Sequence, residues 1–326
     1  MVYQTRKADI ITKTIIVKTR GIDCVCHVWT SFPPPETKAS EMHLFEPRGV
    51  VIIFHGLGGH AHFPTVKHLA ILLAKHSFIV YAMDFPGHGE SPGLRGYIAS
   101  EKNLITDGLS VTLYVKKMHS HLPLFLAGSS MGGSIALAVA NELNISGYNA
   151  AAGGDIISGL ILMAPMISVS NISNCHQSTL KVLKKISPKA ALFPPNEDSL
   201  EMQFRDNIRR KEVQNDKLKY DGNLRVGSAY SCLKLMKVVH KSLTTLSVPF
   251  ICMIGSEDVV VDNLIVMTDL MNSAPSTDRT LKQYKALHGL ICEALPVRYQ
   301  IEKDLLKWLS RRAIVSPMPS PSRLPK

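Results

Sequence analysis

Short apolar runs recur through the first half of the chain and alternate with longer amphipathic segments. Residues 13–30 alternate apolar and polar positions around Arg20-Gly21, which predicts a β-hairpin. Continuous apolar runs predict the next strands, at 49–54, 78–83, 122–127 and 159–164. Amphipathic segments predict the helices between them, at 64–76, 100–119 and 131–143. This order predicts an α/β fold with a central, mostly parallel sheet and helices on both faces.

The alternation stops at about residues 168–246, where the pattern indicates only helices and polar loops, such as 178–186 and 198–208. It resumes with a strand at 249–254, a helix from about 262, a strand at 280–284 and a helix at 296–312. The pattern therefore predicts a core of residues 1–167 and 247–313 with an inserted helical cap of residues 168–246. The Pro/Ser-rich tail, residues 314–326, is typical of a disordered segment.

The formal net charge of the chain is +11, and most of it falls in the predicted cap. Residues 168–246 contain fourteen Lys or Arg against seven Asp or Glu, which gives this segment +7. One interpretation is a set of solvated helix faces. The other is a basic, amphipathic cap that contacts an anionic membrane and admits a lipid substrate. Basic patches with interleaved aromatic residues do not occur in the sequence, so a nucleic-acid partner is not expected.

The longest apolar runs, 49–54 and 159–169, are shorter than the roughly 18 residues that a membrane-spanning helix needs. The first ten residues carry charge where a secretory signal would need an apolar core. We therefore expect a cytoplasmic protein, with or without peripheral membrane contact. Six scattered cysteines lack the paired spacing of a zinc site and the density of a disulfide scaffold, which favours reduced thiols.

Two neighbouring serines lie between glycines in the segment 128–132, Gly-Ser-Ser-Met-Gly. This segment fits the pattern G-x-S-x-G with Ser130 as the serine, and it follows a predicted strand and opens a predicted helix. In that setting the serine occupies a strained turn, and side chains at Gly128 or Gly132 would collide with neighbouring backbone. Ser130 is therefore a candidate nucleophile, against the alternative that both serines are ordinary residues of a strand-to-helix turn. Ser129 occupies the variable position of the pattern.

A serine nucleophile needs a general base and an orienting carboxylate, and their chain order is Ser, Asp, His if the fold is that of an α/β-hydrolase. Asp258 follows the strand at 249–254, and His288 follows the strand at 280–284. Taken singly, Asp258 is equally typical of a turn or helix cap, and His288 of a surface loop. Their joint position at the carboxyl ends of successive strands favours a shared site. Glu257 is the weaker alternative to Asp258.

Acyl transfer also needs backbone N–H groups that stabilise an oxyanion. The residue after the nucleophile, Met131, is expected to supply one, and Leu57 in the glycine-rich segment 55–59 the other. Gly56 and Ser129 are expected to line the substrate pocket. The alternative for the segment 55–59 is a plain glycine-rich turn. His55 and His60 are interpreted as structural or pocket-lining residues. The segment 84–91 is interpreted as a scaffold for the rim of the site, with His88 as a minor candidate participant.

These motifs, together with the segment 84–93 and the pair Ala164-Pro165, occur in an order that resembles the monoacylglycerol lipase family of α/β-hydrolases. The resemblance covers about residues 20–312, and the family includes lysophospholipase-like and plant caffeoylshikimate esterase-like members. It implies an α/β-hydrolase fold and a serine hydrolase acting on glycerol esters of long-chain fatty acids. Ser130, Asp258 and His288 match the family's triad, and Leu57 and Met131 its oxyanion amides. No metal or cofactor is implied.

The chain departs from the family at two places that are candidates for lining the pocket. Ser129 stands where the family often has His or Glu, and Ala286-Leu287 precedes the histidine where plant relatives often have Met-Trp. Hydrolysis of monoacylglycerols is therefore the expected activity, with lysophospholipase and caffeoylshikimate-type esterase activities as alternatives. A non-catalytic ligand-binding protein of the same fold is the alternative of another class.

Overall fold

The computed structural model describes residues 9–33, 37, 46–168, 174–195 and 198–313, and of residues 174–176 it describes the backbone. Eight strands form the main sheet: β1 (Asp9–Thr19), β2 (Ile22–Phe32), β3 (Gly49–Phe54), β4 (Phe78–Met83), β5 (Leu124–Ser129), β6 (Gly159–Met163), β9 (Phe250–Gly255) and β10 (Arg279–Tyr284). A separate two-stranded sheet contains β7 (Ala191–Phe193) and β8 (Leu224–Arg225).

The main sheet has the strand order β1-β2-β4-β3-β5-β6-β9-β10. β1 pairs with β2, and β2 with β4, in antiparallel fashion, and all other neighbours pair in parallel. The residues of β3, β6 and β9 are all buried, as expected for parallel strands covered on both faces. The predicted hairpin and mostly parallel sheet are therefore confirmed. The strand predicted at 122–127 begins later, at Leu124, and continues to Ser129.

The helices of the described chain are α1 (Pro64–Lys75), α2 (Glu101–Met118), α3 (Met131–Ile145), α4 (Tyr148–Ala151), α5 (Asn174–Ile186), α6 (Ser199–Gln203), α7 (Asn207–Gln214), α8 (Val226–Ser242), α9 (Asn263–Ile265), α10 (Met271–Ser273) and α11 (Val297–Ser310). Residues 266–270, between α9 and α10, form a π-helical turn.

Helices cover both faces of the sheet, as two aromatic residues illustrate. Phe54 of β3 contacts α2 at Gly108, where a Cβ atom would lie 3.4 Å from the Phe54 ring. Phe125 of β5 contacts Trp308 of α11, with ring centroids 6.1 Å apart. Phe125 pairs with Val51 in the parallel register, and Val51 and Phe54 lie three positions apart on β3. Because strand side chains alternate between faces, Phe54 and Phe125 point to opposite faces.

Two predictions for the segment between β6 and β9 differ from the structure. The prediction that it contains only helices and loops is wrong, because β7 and β8 form an antiparallel pair within it. Strands of three and two residues are too short to produce a detectable period of two. The segment 198–208 is also not one continuous helical stretch, since α6 ends at Gln203 and α7 begins at Asn207. The boundaries of the predicted cap, 168–246, stay a prediction.

Across the described residues, every helix is too short or too polar to cross a membrane. Five cysteines have described side chains, and all five are buried and free: Cys24, Cys26, Cys232, Cys252 and Cys292. The tail predicted to be disordered, residues 314–326, lies outside the described residues.

Candidate active site

Ser130 occupies the turn between β5 and α3 with a backbone conformation that L residues rarely adopt. Its φ is 57° and its ψ is −124°, a strained combination for a residue with a side chain. A Cβ atom on Gly128 would overlap the carbonyl carbon of Gly132, and a Cβ atom on Gly132 would overlap the carbonyl oxygen of Phe54. Both glycines are therefore required for α3 to begin so close to β3 and β5.

The glycine-rich segment 55–59 lies against this turn. A Cβ atom on Gly56 would lie 3.6 Å from the carbonyl oxygen of Ser129 and 3.7 Å from Ser130 Cβ. Within the described chain, neither the Leu57 N–H nor the Met131 N–H donates a hydrogen bond. Met131 is the first residue of α3, where backbone N–H groups have no partner inside the helix. The two N–H groups predicted to bind an oxyanion thus have no hydrogen-bond acceptor within the described chain.

Asp258 and His288 form a direct hydrogen bond. His288 Nδ1 lies 2.8 Å from Asp258 Oδ2, and the Asp258 side chain is completely buried. Asp258 Oδ1 also accepts the N–H groups of Val260 and Val261, at 2.8 and 3.3 Å. Asp258 is therefore both a turn-capping residue and the partner of His288. Because the carboxylate accepts the Nδ1 proton, the neutral imidazole has its free lone pair on Nε2.

The strand order brings the three candidate residues to one edge of the sheet. β6 lies between β5 and β9 in the sheet, and β10 pairs with β9. Since these four strands are parallel, Ser130, Asp258 and His288 all follow carboxyl ends at the same edge. The structure contains no hydrogen bond between Ser130 Oγ and His288, both of which are described. Catalytic hydrogen bonds of unliganded enzymes are often long and tighten when substrate binds.

The other histidines near the site are held in structural bonds. His55 Nδ1 lies 2.8 Å from the Gly56 carbonyl oxygen, and His55 Nε2 accepts the Phe85 N–H at 3.1 Å. Burial lowers the pKa of His55 to about 4 and the pKa of His88 to about 3. Both imidazoles are therefore neutral near pH 7. His60 Nε2 lies 2.7 Å from Asp216 Oδ2, and His60 Nδ1 accepts a hydrogen bond from the His62 N–H. Both ring nitrogens of His60 therefore have hydrogen-bond partners within the protein.

Sequence analysis missed a group of residues that hold the His288 loop. The buried carboxylate of Glu293 accepts the Leu287 N–H through Oε1 at 2.7 Å. Arg205, between α6 and α7, forms ion pairs with Glu293 and with Glu257. The only local signal is an acidic residue in the apolar segment 290–295 directly after the histidine, which indicates a buried, bonded carboxylate.

Residues 45–294 match the family model described as serine aminopeptidase, S33. The chain belongs to this family. The range that matches the S33 family model contains the candidate residues Leu57, Ser130, Met131, Asp258 and His288.

The chain is similar over most of its length to lipases of known sequence and structure. The monoglyceride lipase of Homo sapiens is 29% identical over 278 residues, which cover 84% of this chain and 86% of the human protein. The monoacylglycerol lipase of Mycolicibacterium smegmatis is 26% identical over 290 residues, covering 89% of this chain and 93% of the relative. A crystal structure of a soluble variant of monoglyceride lipase from Saccharomyces cerevisiae, in complex with a substrate analog, superposes with a TM-score of 0.75. That pair is 21% identical and covers 95% of this chain and 98% of the yeast chain, a likeness that shows the shared fold.

These relatives confirm the resemblance to monoacylglycerol lipases and the α/β-hydrolase fold that was predicted from the sequence. The predicted enzyme class, a carboxylic ester hydrolase, is confirmed as well. Within that class, the choice of ester depends on the site of this chain.

Proposed function

We propose that this S33 family member is a serine hydrolase that cleaves monoacylglycerols to a fatty acid and glycerol through an acyl-enzyme intermediate. The observation that carries the proposal is the 2.8 Å bond between His288 Nδ1 and buried Asp258, at the sheet edge where Ser130 occupies its strained turn. A buried carboxylate bonded to Nδ1 fixes the tautomer that a general base needs. The glycine-rich segment 55–59 and the start of α3 add the oxyanion donors.

In the proposed mechanism, Ser130 Oγ attacks the ester carbonyl carbon while His288 Nε2 takes the hydroxyl proton. Asp258 stabilises the resulting imidazolium, and the N–H groups of Leu57 and Met131 bind the oxyanion of the tetrahedral intermediate. The carbonyl re-forms, the bond to the glycerol oxygen breaks, and His288 protonates that oxygen. Water then attacks the acyl-enzyme by the same steps, which releases the fatty acid and restores Ser130.

Monoacylglycerol is the preferred substrate class because the human and mycobacterial relatives named above carry that activity in their names and align over more than four fifths of the chain. Ser129 and Gly56 lie beside Ser130, so we assign them to the substrate pocket. Lysophospholipids and small phenolic esters are the second candidates, since Ser129 differs from what the family often has there and Ala286-Leu287 from what plant relatives often have.

We also assign peripheral contact with anionic membrane to the basic segment 168–246. Val182 and Ile186 are exposed on α5, one turn apart, and exposed Lys181 and Lys185 lie beside them. An apolar stripe flanked by lysines is typical of a helix at a lipid interface. A lipase with such a surface can take its substrate from the bilayer.

A matched pair of serine variants tests the proposal. Ser130→Ala should lower hydrolysis of a monoacylglycerol by at least about 10³-fold and abolish labelling by a fluorophosphonate probe, because it removes the nucleophile. Ser129→Ala should keep labelling and alter only the substrate preference. The panel of substrates contains a monoacylglycerol, a diacylglycerol, a lysophospholipid, a phenolic ester and an aminoacyl anilide. Retained hydrolysis by folded Ser130→Ala would contradict the mechanism, and preference for another member of the panel would contradict the substrate.

A further inference from the structure

A second group of chemically active side chains lies away from the triad, on the antiparallel side of the sheet. His27 comes from β2, Asp84 follows β4, and Glu90 lies in the loop that Asp84 begins. One ligand atom from each residue lies within 4.8 Å of the others. His27 Nε2 is 3.2 Å from Glu90 Oε2 and 3.9 Å from Asp84 Oδ2.

His27 Nε2 is the unusual atom of this group. The His27 side chain is 4% exposed, and its Nε2 forms no hydrogen bond with any described residue, because Asp84 Oδ2 is too distant and Glu90 Oε2 is poorly aligned. A buried ring nitrogen without a partner is costly. In the tautomer protonated at Nδ1, this nitrogen is an electron-pair donor that lies close to two carboxylate oxygens, which are donors as well.

Asp84 is held in place independently of His27. Its Oδ1 accepts the Ala61 N–H at 2.6 Å, and its Oδ2 accepts the Glu90 N–H at 2.8 Å. Each oxygen retains a further lone pair for another ligand. The Asp84 side chain is 1% exposed, and among the described ion pairs its only basic neighbour is His27.

We propose that His27, Asp84 and Glu90 bind a divalent transition-metal cation, with zinc as the best match. One imidazole and two carboxylates are a ligand set that zinc accepts in sites that keep one position for water. Ligand atoms about 2.0–2.1 Å from a tetrahedral zinc lie about 3.3–3.4 Å apart. Two of the three spacings, 3.2 and 3.9 Å, are close to this value, and the third, between the carboxylates, is at most 4.8 Å, so side-chain shifts would close the site around a metal. The Glu90 side chain is 48% exposed, which provides a path of entry and room for a bound water.

The surroundings of His27 suit a metal ligand. Coordination through Nε2 requires the ring proton on Nδ1, and His27 Nδ1 lies 3.1 Å from His62 Nε2. His62 can accept that proton's hydrogen bond and so fix the tautomer and the ring orientation, as partners of metal-bound histidines usually do. The metal would connect β2 to the loop after β4 and, through Asp84 and Ala61, to the segment that follows Gly56 and Leu57.

Calorimetric titration of the untagged, chelator-treated chain with ZnCl₂ tests the site. We expect one equivalent of zinc to bind and the melting temperature to rise on binding. Glu90→Gln and His27→Gln should each weaken binding at least about tenfold, and His62→Gln by about tenfold. Glu90 is half-exposed, so its variant should fold even where a change at buried His27 does not. The matched control is His240→Gln, which removes a histidine 2.9 Å from Asp269 in an exposed pair and should leave binding unchanged.

Cobalt(II) distinguishes this site from the free cysteines. Bound cobalt should show ligand-field absorption without the charge-transfer bands of a thiolate ligand. No zinc binding by the wild-type chain, a thiolate spectrum, or equal zinc affinity in wild type and Glu90→Gln would each overturn the proposal. The first of these outcomes would leave His27 and Glu90 as an ion pair.

Discussion

The Gln203 carbonyl oxygen accepts a hydrogen bond from the Gly289 N–H at 2.8 Å, which attaches the end of α6 to the loop that carries His288. Arg205 reinforces this attachment, because its guanidinium bonds Glu257, next to Asp258, and lies 3.4 Å from Glu293. Glu293 in turn accepts the Leu287 N–H. The segment between β6 and β9 therefore holds both the acid loop and the histidine loop of the candidate triad.

Glu293 should be the most sensitive residue of this arrangement. Glu293→Ala leaves the Leu287 N–H without its acceptor, and it should lower the free energy of unfolding by about 1–3 kcal/mol. It should also lower kcat more than it raises KM, because His288 is held less accurately. Glu293→Gln keeps an oxygen acceptor for Leu287 and should retain most of both properties. Urea unfolding and ester hydrolysis measure the two effects, and equal losses in both variants would contradict this role for the acceptor.

Gly132 should tolerate no side chain, although it lies in a helix where alanine is normally favoured. Gly132→Ala would place a Cβ atom on the Phe54 carbonyl oxygen, and backbone atoms of a central strand cannot move away cheaply. We expect a loss of about 1–3 kcal/mol in the free energy of unfolding. Gly154→Ala is the matched control, because a Cβ atom there meets nothing within 4 Å. If urea unfolding gives both variants wild-type stability, the close approach of α3 to β3 is not essential.

The sequence predicted the central strands well because they are buried on both faces and therefore appear as uninterrupted apolar runs. β3 and β4 begin and end at the predicted residues. β7 and β8 were missed because three and two residues are too few to show a period. The end of α6 at Gln203 was missed because it depends on the tertiary burial of Phe204. The Phe204 ring packs against Gly289, where a Cβ atom would collide with it.

For the candidate site, the sequence identified residues with local signals and missed those without them. Ser130 lies in a recognisable pattern, and Asp258 and His288 each follow an apolar strand. Arg205 has no such signal, because its significance comes from contacts with Glu257 and Glu293, which are remote in the chain. The same holds for His27, whose relation to Glu90 arises only when β2 pairs with β4.

The free energy of unfolding should decrease as the pH is lowered below about 6.5, because His55 is buried as a neutral imidazole. Burial lowers its pKa in the folded chain from 6.5 to about 4, so between these values the unfolded chain binds the extra proton. The free energy of unfolding should therefore decrease as pH falls, by up to about 1.4 kcal/mol per pH unit from this one group. His55→Gln should reduce that slope, whatever its stability at neutral pH, because it removes the titrating group.

The measurement is urea unfolding at about pH 7 and about pH 5, with His121→Gln, at an exposed position, as the control that keeps the wild-type slope. His88 should contribute in the same direction, since burial lowers its pKa to about 3. The same pH slope in wild type and His55→Gln would show that His55 is not the source of the acid sensitivity.

Membrane contact through α5 should depend on both its apolar and its basic side chains. Val182 is 55% exposed and Ile186 75% exposed, so replacing both by serine should weaken binding to all vesicles by removing apolar contact. Lys185→Glu should weaken binding only to anionic vesicles, several-fold, because each lysine near such a surface contributes about 1 kcal/mol.

Ile145→Ser, at an exposed apolar residue of α3, is the matched control and should bind as wild type. Co-sedimentation with phosphatidylcholine vesicles, with and without phosphatidylserine, separates the two effects. If vesicle binding is the same in wild type and in the variants of Val182, Ile186 and Lys185, the contact surface lies elsewhere on the molecule.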